Sequence, residues 1–505
     1  MNTISRSVLA LSIVIALWSQ CALAQTYSIA DLGSFGGTYG AVASSVNDSG
    51  QVTGTSYLSG DAIVHAFLYS NGVLQDLGTL GGQGSGGTGI NASGQVVGNS
   101  ALASGVQHAF LYSSGVMNDL GTLGGTGSSA AGINDAGQVT GNAELGGSSQ
   151  VYDAFIYSGG VMNDLGAAPG FNGSDGAAIN ASAQVVGTVS TGENNAFLYS
   201  NGVWQNLGTL GGTNSDAEGI NTAAEVVGFS DTTGNYYHAF LYKDGVMQDL
   251  GTLTNENNSD AIAINDGEQV VGQSYLLLSN TIVTSHAFLA FGGTMFDLNT
   301  MIDPASPLKP YVTLYAATAI SNSGYIAAIG NDSRISCPGS YCRAYLLTLE
   351  TNAPTVTPVV TGTLGSNGWY TSKPTTLAWT VTGFPIPTTS GCGTVSVPDT
   401  KGKTYTCKAT NSSGDASDSV TIKKDSVPPQ VAIKIPVKAK TYTLHEKVLA
   451  SYSCLDVTSG VATCSGTVKD GAAINTSTKG TKTFKVTSAD KAGNVAVHSV
   501  LYSVN

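Results

Sequence analysis

Three sets of residues in this chain have types and spacings that could do chemistry, and each set recurs. A His precedes Ala-Phe at His65, His108, His238 and His286, and the same setting holds Asp153, Asn195 and, before Ala-Tyr, Arg343. An Asp precedes Leu-Gly at Asp31, Asp76, Asp119, Asp164 and Asp249, with variants at Asn206 and Asp297. An Asn opens an Asn-x-x-Gly-Gln-Val-type turn at Asn47, Asn91, Asn134, Asn180, Asn221 and Asn265, with Ser321 in a seventh, degenerate copy. A catalytic group is needed once, whereas a strut is needed in every repeat. The Asp therefore reads as an acceptor of backbone N–H groups at a corner. The His reads as a hydrogen-bonding residue at a strand start, since Asp and Asn replace it, and metal ligation is not expected. Gly81-Gly82 and Gly124-Gly125 read as tight-turn glycines; no helix follows them, so they do not cradle phosphate. No Ser nucleophile elbow, His-Glu-x-x-His or paired Cys-x-x-Cys occurs. No catalytic residue is expected. Acidic loops such as Asn134-Asp135 and Asn265-Asp266 offer oxygen ligands to Ca²⁺, but these residues are also the commonest turn formers. Ca²⁺ stays open, and no other cofactor is expected.

These residues recur because the elements that position them recur. The unit is seen in His108–Gly141, and its Asp-Leu-Gly corner returns every 42 to 48 residues. Each copy reads as four short strands. A first strand ends in Gly-Ile-Asn, and a tight turn leads to a β-rich Gln-Val-Val-Gly segment. A looser loop leads to His-Ala-Phe, and a two-residue turn such as Asn71-Gly72 or Ser114-Gly115 opens the last strand. No segment sustains a 3.6-residue period. Four strands in about 43 residues is the pattern of a β-propeller blade. A stacked β-solenoid is the competing arrangement, with a usually shorter period. The seventh copy lacks its last strand, and Tyr27–Leu32 supplies one in isolation. An all-β, seven-bladed propeller over 25–350, closed by the N-terminal strand, is expected, because closure removes open sheet edges.

The motif string resembles the HAF-repeat family of bacterial extracellular proteins over residues 27–349. That resemblance implies a repeat fold and an extracellular location, and leaves the chemistry open.

Residues 1–24 read as a secretory signal: Arg6, an apolar Val8–Trp18 core and an Ala22-Leu-Ala24 cleavage site. A transmembrane anchor is disfavoured by the short apolar run, and Ser19-Gln20 fit a lipid-modified Cys21 poorly. The mature chain should begin at Gln25. Six cysteines remain, in neighbouring pairs in different modules, and local bridges are expected: Cys337–Cys342, Cys392–Cys407 and Cys454–Cys464. Zinc at Cys337 and Cys342 would lack two further ligands. The Thr/Pro-rich stretch 351–358 reads as a linker. Residues 359–424 and 425–505 read as two small β-sandwiches. Tyr405-Thr-Cys407 resembles the tyrosine corner of immunoglobulin-like domains, and Asp490-Lys-Ala-Gly-Asn494 resembles bacterial surface Ig-like modules.

Charge is divided. Residues 26–353 hold 4 Lys/Arg against 25 Asp/Glu, and residues 354–505 hold 15 Lys against 8 Asp/Glu. The acidic part argues against nucleic acid. The Lys-bearing part could lie near anionic cell-envelope polymers, or be ordinary solvated surface. A secreted or cell-surface binding protein is expected, with a glycan or protein ligand and the Ig-like domains as spacers. The alternative is a propeller enzyme acting on an extracellular polysaccharide. Between the conserved-length turns, the loops entering His-Ala-Phe vary, with 10, 9, 11, 7, 9 and 13 residues in the first six copies. Variable loops on a rigid scaffold carry recognition. Tyr152, Tyr236, Tyr237, Tyr275, Arg334 and Tyr341 on that face, the last two in the Asn331–Arg343 loop, are the candidate contacts. The long Asn299–Tyr315 connection is expected to emerge there too.

Overall fold

The computed structural model describes residues 25–147, 151–234, 236–336, 343–384, 387–411 and 413–505. Residues 1–24, read above as a signal, the expected Cys337–Cys342 bridge and Tyr341 lie outside them. The chain divides into two compact units, the first ending at Glu350 and the second starting at Thr351. Among the described residues there are strands and two short 3-10 turns. Among those residues no helix is long and apolar enough to cross a membrane.

The first unit is a β-propeller of four-stranded antiparallel sheets. In chain order they span 36–76, 81–119, 124–166, 174–206, 211–249 and 258–297; the seventh joins 312–349 to Tyr27–Asp31. In that seventh sheet Tyr27 pairs with Leu349 and Asp31 with Tyr345. The first sheet packs on the seventh, with Ala41, Val52 and Phe67 in one core with Ala327, Ala344 and Leu346.

The recurring residues explain why each sheet forms. The Phe of His-Ala-Phe is the core of its sheet: Phe67, Phe110, Phe155, Phe197, Phe240, Phe288 and the equivalent Tyr345 are all among the fully buried large side chains. Burying such a ring stabilises by roughly 1.5–3 kcal/mol. Opposite each Phe lies the Gly of Gln-Val-Val-Gly, as Gly98 faces Phe110. A Cβ on Gly98 would fall 1.9 Å from the Gly86 carbonyl oxygen, so only Gly lets the first strand close on the second. The Asn turns are equally determined. Asn47 Oδ1 accepts from Ser49 and Gln51 N–H at 3.0 Å, and its Nδ2 donates to the Asn91 carbonyl of the next sheet at 2.9 Å. The same donation runs on through Asn134, Asn180, Asn221 and Asn265 to Ser321. Ser323 N–H returns to Asp48 Oδ1 at 2.9 Å. The two-residue turns have positive φ at both positions, as at Asn71 (50°) and Gly72 (82°), which is the type I′ form.

Two expectations are corrected here. Gly81-Gly82 and Gly124-Gly125 are not turn residues; they begin the first strands Gly81–Ile90 and Gly124–Ile133. Gly81 holds φ +102°, and a Cβ on Gly82 would meet Leu102 O at 2.4 Å, so the close approach of the second strand demands them. The longest variable loop is a hairpin: Val270–Leu278 and Thr281–Phe291 continue to a tight turn at Ser279 and Asn280, both at positive φ. Its β-branched and Leu residues extend the ladder. The Asn299–Tyr315 connection packs on the seventh sheet. Met301 and Ile302 are buried with Tyr27, and Asp303 N–H bonds Tyr27 O at 2.9 Å, so its apolar residues cover the seventh sheet.

In the second unit, Asn352–Thr361, Thr376–Phe384 and Val395–Ser396 form one sheet, and Trp369–Tyr370, Gly414–Lys424, Thr400–Asn411 and Thr388–Ser390 a second. Leu377, Val397 and Ile422 pack between them. Further on, Gln430–Ile435 pairs with Ser451–Leu455, and Thr441–Tyr442, Val495–Val504, Gly480–Asp490 and Val461–Gly466 form a four-stranded sheet. Most of the stretch read as a linker, 351–358, is therefore strand. It lies at a sheet edge, where Pro354 and Pro358 need no N–H partner on their open side. Cys392–Cys407 and Cys454–Cys464 are bonded. The first clamps neighbouring strands, since Ser390 pairs with Lys408. Tyr405 is not a tyrosine corner, because its buried hydroxyl has no hydrogen-bond partner.

Candidate functional site

The repeated polar residues are struts. The corner acceptor takes the N–H two residues on: Gly33, Gly78, Gly121, Gly166, Gly208, Gly251 and Asn299 donate at 2.7–2.9 Å. The residue before Ala-Phe faces it. His65, His108 and His238 place Nδ1 2.8–2.9 Å from Asp76, Asp119 and Asp249. Asn206 Nδ2 donates to Asn195 Oδ1 at 3.2 Å, and Arg343 lies 3.4 Å from Asp31. His286 turns instead to Glu256 at 2.9 Å. The Ala that follows is tied to the next sheet: Ala66, Ala109, Ala154, Ala196 and Ala239 N–H donate to Ser85, Ser128, Ser174, Ser215 and Ser259 Oγ at 2.8–3.0 Å.

The first strands come together at one end. At their turn end, one pocket is lined by residues of all seven sheets, from Asn47 and Asn91 to Asn265 and Ser321. Each first strand carries a bulge two or three residues after the position of that Ser, between Gly176 and Ala178 or Ala217 and Gly219, for example. Bulges re-aim side chains. Here the flanking residues line two adjoining cavities of about 550 and 470 Å³ that share Asn194 and Asp216. Asp175, Asp216 and Glu218 line the first, and Asp216 and Asp260 the second. No Lys, Arg or His lines either.

These carboxylates hold protons more tightly than usual. Enclosure by the walls raises Asp175, Asp216 and Asp260, against hydrogen bonds from Asn142, Thr188 and Gln273 respectively. Glu218 is pushed up to about 7, first by burial and then by Asp216, Asp260 and Asp175. Four carboxyls with raised proton affinity, crowded without a cation, can hold and pass a proton within one cavity.

Tyr152 lines the first cavity, and Tyr237 and Tyr275 the second. Tyr237 stands edge-on to Phe229 at 5.7 Å. So three of the six residues singled out from sequence come together with four acids that were not. Two do not join them. Tyr236 is exposed and lines neither cavity. Arg334 is bound to Asp332 and stacked over Tyr311 at 4.5 Å, because a buried carboxylate holds it. The signal for the acids was there: the residue after the first-strand Ser position is Val42, Gly86, Ser129, Asp175, Asp216, Asp260 and Ala316 in turn.

In the second unit, Asp425, Asp456 and Asp490 bring carboxylate oxygens within 4.8 Å of one another, a spacing that could hold a metal ion. Their oxygens also serve the chain: Ser459 N–H reaches Asp425 at 3.0 Å, Gly460 N–H reaches Asp456 at 2.7 Å, and Asn494 N–H reaches Asp490 at 2.8 Å.

No protein-family model matches the chain, and no curated protein matches it. Among solved structures it is similar to the β-propeller domain of the Trilobed protease from Pyrococcus furiosus, at 7% identity and a TM-score of 0.40, over 63% of this chain and 97% of that one. It is also similar to a gluconolactonase from Xanthomonas campestris, at 10% identity and a TM-score of 0.31, over 61% of this chain and 97% of that one. An acylaminoacyl peptidase from Pyrococcus horikoshii is similar at 8% identity and a TM-score of 0.40, over 69% of this chain and 58% of that one.

Proposed function

We propose that the chain is an exported glycan-binding protein of the HAF-repeat kind: a seven-bladed propeller closed by its N-terminal strand, carrying two Ig-like domains as spacers. The ligand seats in the paired cavities lined by the third to sixth sheets. One observation carries this reading: Asp175, Asp216, Glu218 and Asp260 break the repeat and meet under Tyr152, Tyr237 and Tyr275. Carboxylates accept hydrogen bonds from sugar hydroxyls, and tyrosine faces cover sugar C–H surfaces while their hydroxyls stay wet. A lining without cations favours neutral or amino sugars over phosphorylated or uronic ones. The signal segment and two formed disulfides support an oxidising destination. A glycan array read with wild type and Asp216→Asn tests it; retention of the same ligands at the same strength by the variant would refute the site.

Glu218 favours a second reading, hydrolysis of an extracellular polysaccharide. It shares a strand and a cavity wall with Asp216, two residues away, and burial raises its proton affinity, as a general acid beside a second carboxyl requires. Release of reducing ends from a bound glycan, lost in Glu218→Gln while binding persists, separates enzyme from binder.

A further inference from the structure

The seven corner slots can be compared as siblings. In five, the residue before Ala-Phe or Ala-Tyr is a His or Arg turned to a carboxylate, and in a sixth the corner Asn206 donates to Asn195. In the third sheet it is Asp153, opposite the corner Asp164. Two carboxylates stand where the siblings have an acceptor and its donor.

Asp153 is only 6% exposed, and its Oδ1 has no hydrogen-bond partner. Its carboxyl receives the Ser174 N–H, and Asp164 Oδ1 receives the Gly166 N–H at 2.7 Å; neither interaction brings positive charge. The third and fourth sheets, 124–166 and 174–206, contain no Lys, Arg or His to neutralise the pair. A buried carboxylate beside another is costly unless a cation or proton joins them. Burial and the Asp164 charge both raise the proton affinity of Asp153, in keeping with a missing counter-charge.

We infer that Asp153 and Asp164 form a cation site that takes Ca²⁺ in the position a histidine or arginine side chain fills in the sibling sheets. Ca²⁺ is the fitting ion because it accepts carboxylate, carbonyl and water oxygens in irregular geometry, whereas Mg²⁺ demands a near-octahedral shell. The two carboxylates supply up to four oxygens, and water completes the shell from the exposed Asp164 side.

The test is equilibrium dialysis of Ca²⁺ against the full exported chain at pH 7.5, for wild type, Asp153→His and Asp153→Asn. The background is Asp456→Asn, which weakens the separate acidic group of the second unit. Asp153→His installs the sibling residue and so is expected to fold. Both Asp153 variants should bind one Ca²⁺ fewer than their parent. The thermal transition of the parent should rise with Ca²⁺, while that of Asp153→His should not respond. Equal stoichiometry in parent and variants overturns the proposal. So does a parent that ignores Ca²⁺ and is stabilised instead by lowering the pH to about 5, an effect lost in Asp153→Asn, because a shared proton would then join the pair.

Discussion

The fourth to sixth sheets and the other four are built on one plan but differ on their first strands. In both groups a buried Phe, or Tyr345 in the seventh sheet, fills the core, the same bulge bends the first strand, and the turn, an Asn turn in all but the seventh, is hydrogen-bonded to its neighbour. After the Ser position, one group presents Asp175, Asp216 and Asp260, and the other Val42, Gly86, Ser129 and Ala316. What repeats is scaffold, and what departs from the repeat on the inner strands is where selection for a ligand can act without disturbing the fold.

The comparison breaks if the scaffold is not equal in both groups. Gly228→Ala and Gly98→Ala each drive a Cβ to 1.9 Å from a first-strand carbonyl oxygen. Each should cost about 1–3 kcal/mol or more, to a similar extent, in urea unfolding. A large cost on one side alone would show that the sheets are not equivalent. The comparison sharpens if the first-strand positions divide by function. Asp216→Asn with Glu218→Gln should weaken binding of an identified glycan at least tenfold (about 1.4 kcal/mol), whereas Val42→Ala and Ser129→Ala should leave it unchanged. Equal losses in both groups would remove the distinction.

A smaller effect concerns pH. The folded state raises Glu218 from its ordinary 4.5 to about 7, so folding takes up a proton between those values. The associated stability is full below about 4.5 and is lost as the pH rises through about 7. Glu218→Gln should therefore flatten the fall in melting temperature between pH 4.5 and 8; an unchanged slope would count against the cluster. Smallest is the strut exchange. His108→Asn borrows the fourth sheet's residue and should cost under about 1 kcal/mol, as for an exposed ion pair.

The repeat made the scaffold legible before any coordinates. A missing strand at one end and a spare one at the other sufficed to pair Tyr27–Asp31 with Arg343–Leu349. The Asn-Gly turns were legible because few residues tolerate positive φ twice. The acids were not, because Asp175, Asp216 and Asp260 lie more than 40 residues apart and only the packing of successive first strands brings them together. They also stand among acids that do repeat, at the corners and Asn turns, and those are struts. The hairpin at Ser279-Asn280 and the strand Asn352–Thr361 were missed for a local reason: turn-like residues and prolines were allowed to outweigh the β-formers around them.

The strand Tyr27–Asp31 also sets an order of events. It leaves the ribosome before any other strand described, yet its partner Arg343–Leu349 is made more than 300 residues later. A contact of such long range is slow to form. The first six sheets can zip up as local hairpins while the chain is still emerging, but the seventh waits for both ends. The seventh sheet is thus completed last, and any process that holds back the leading strand leaves Arg343–Leu349 with an unpaired edge.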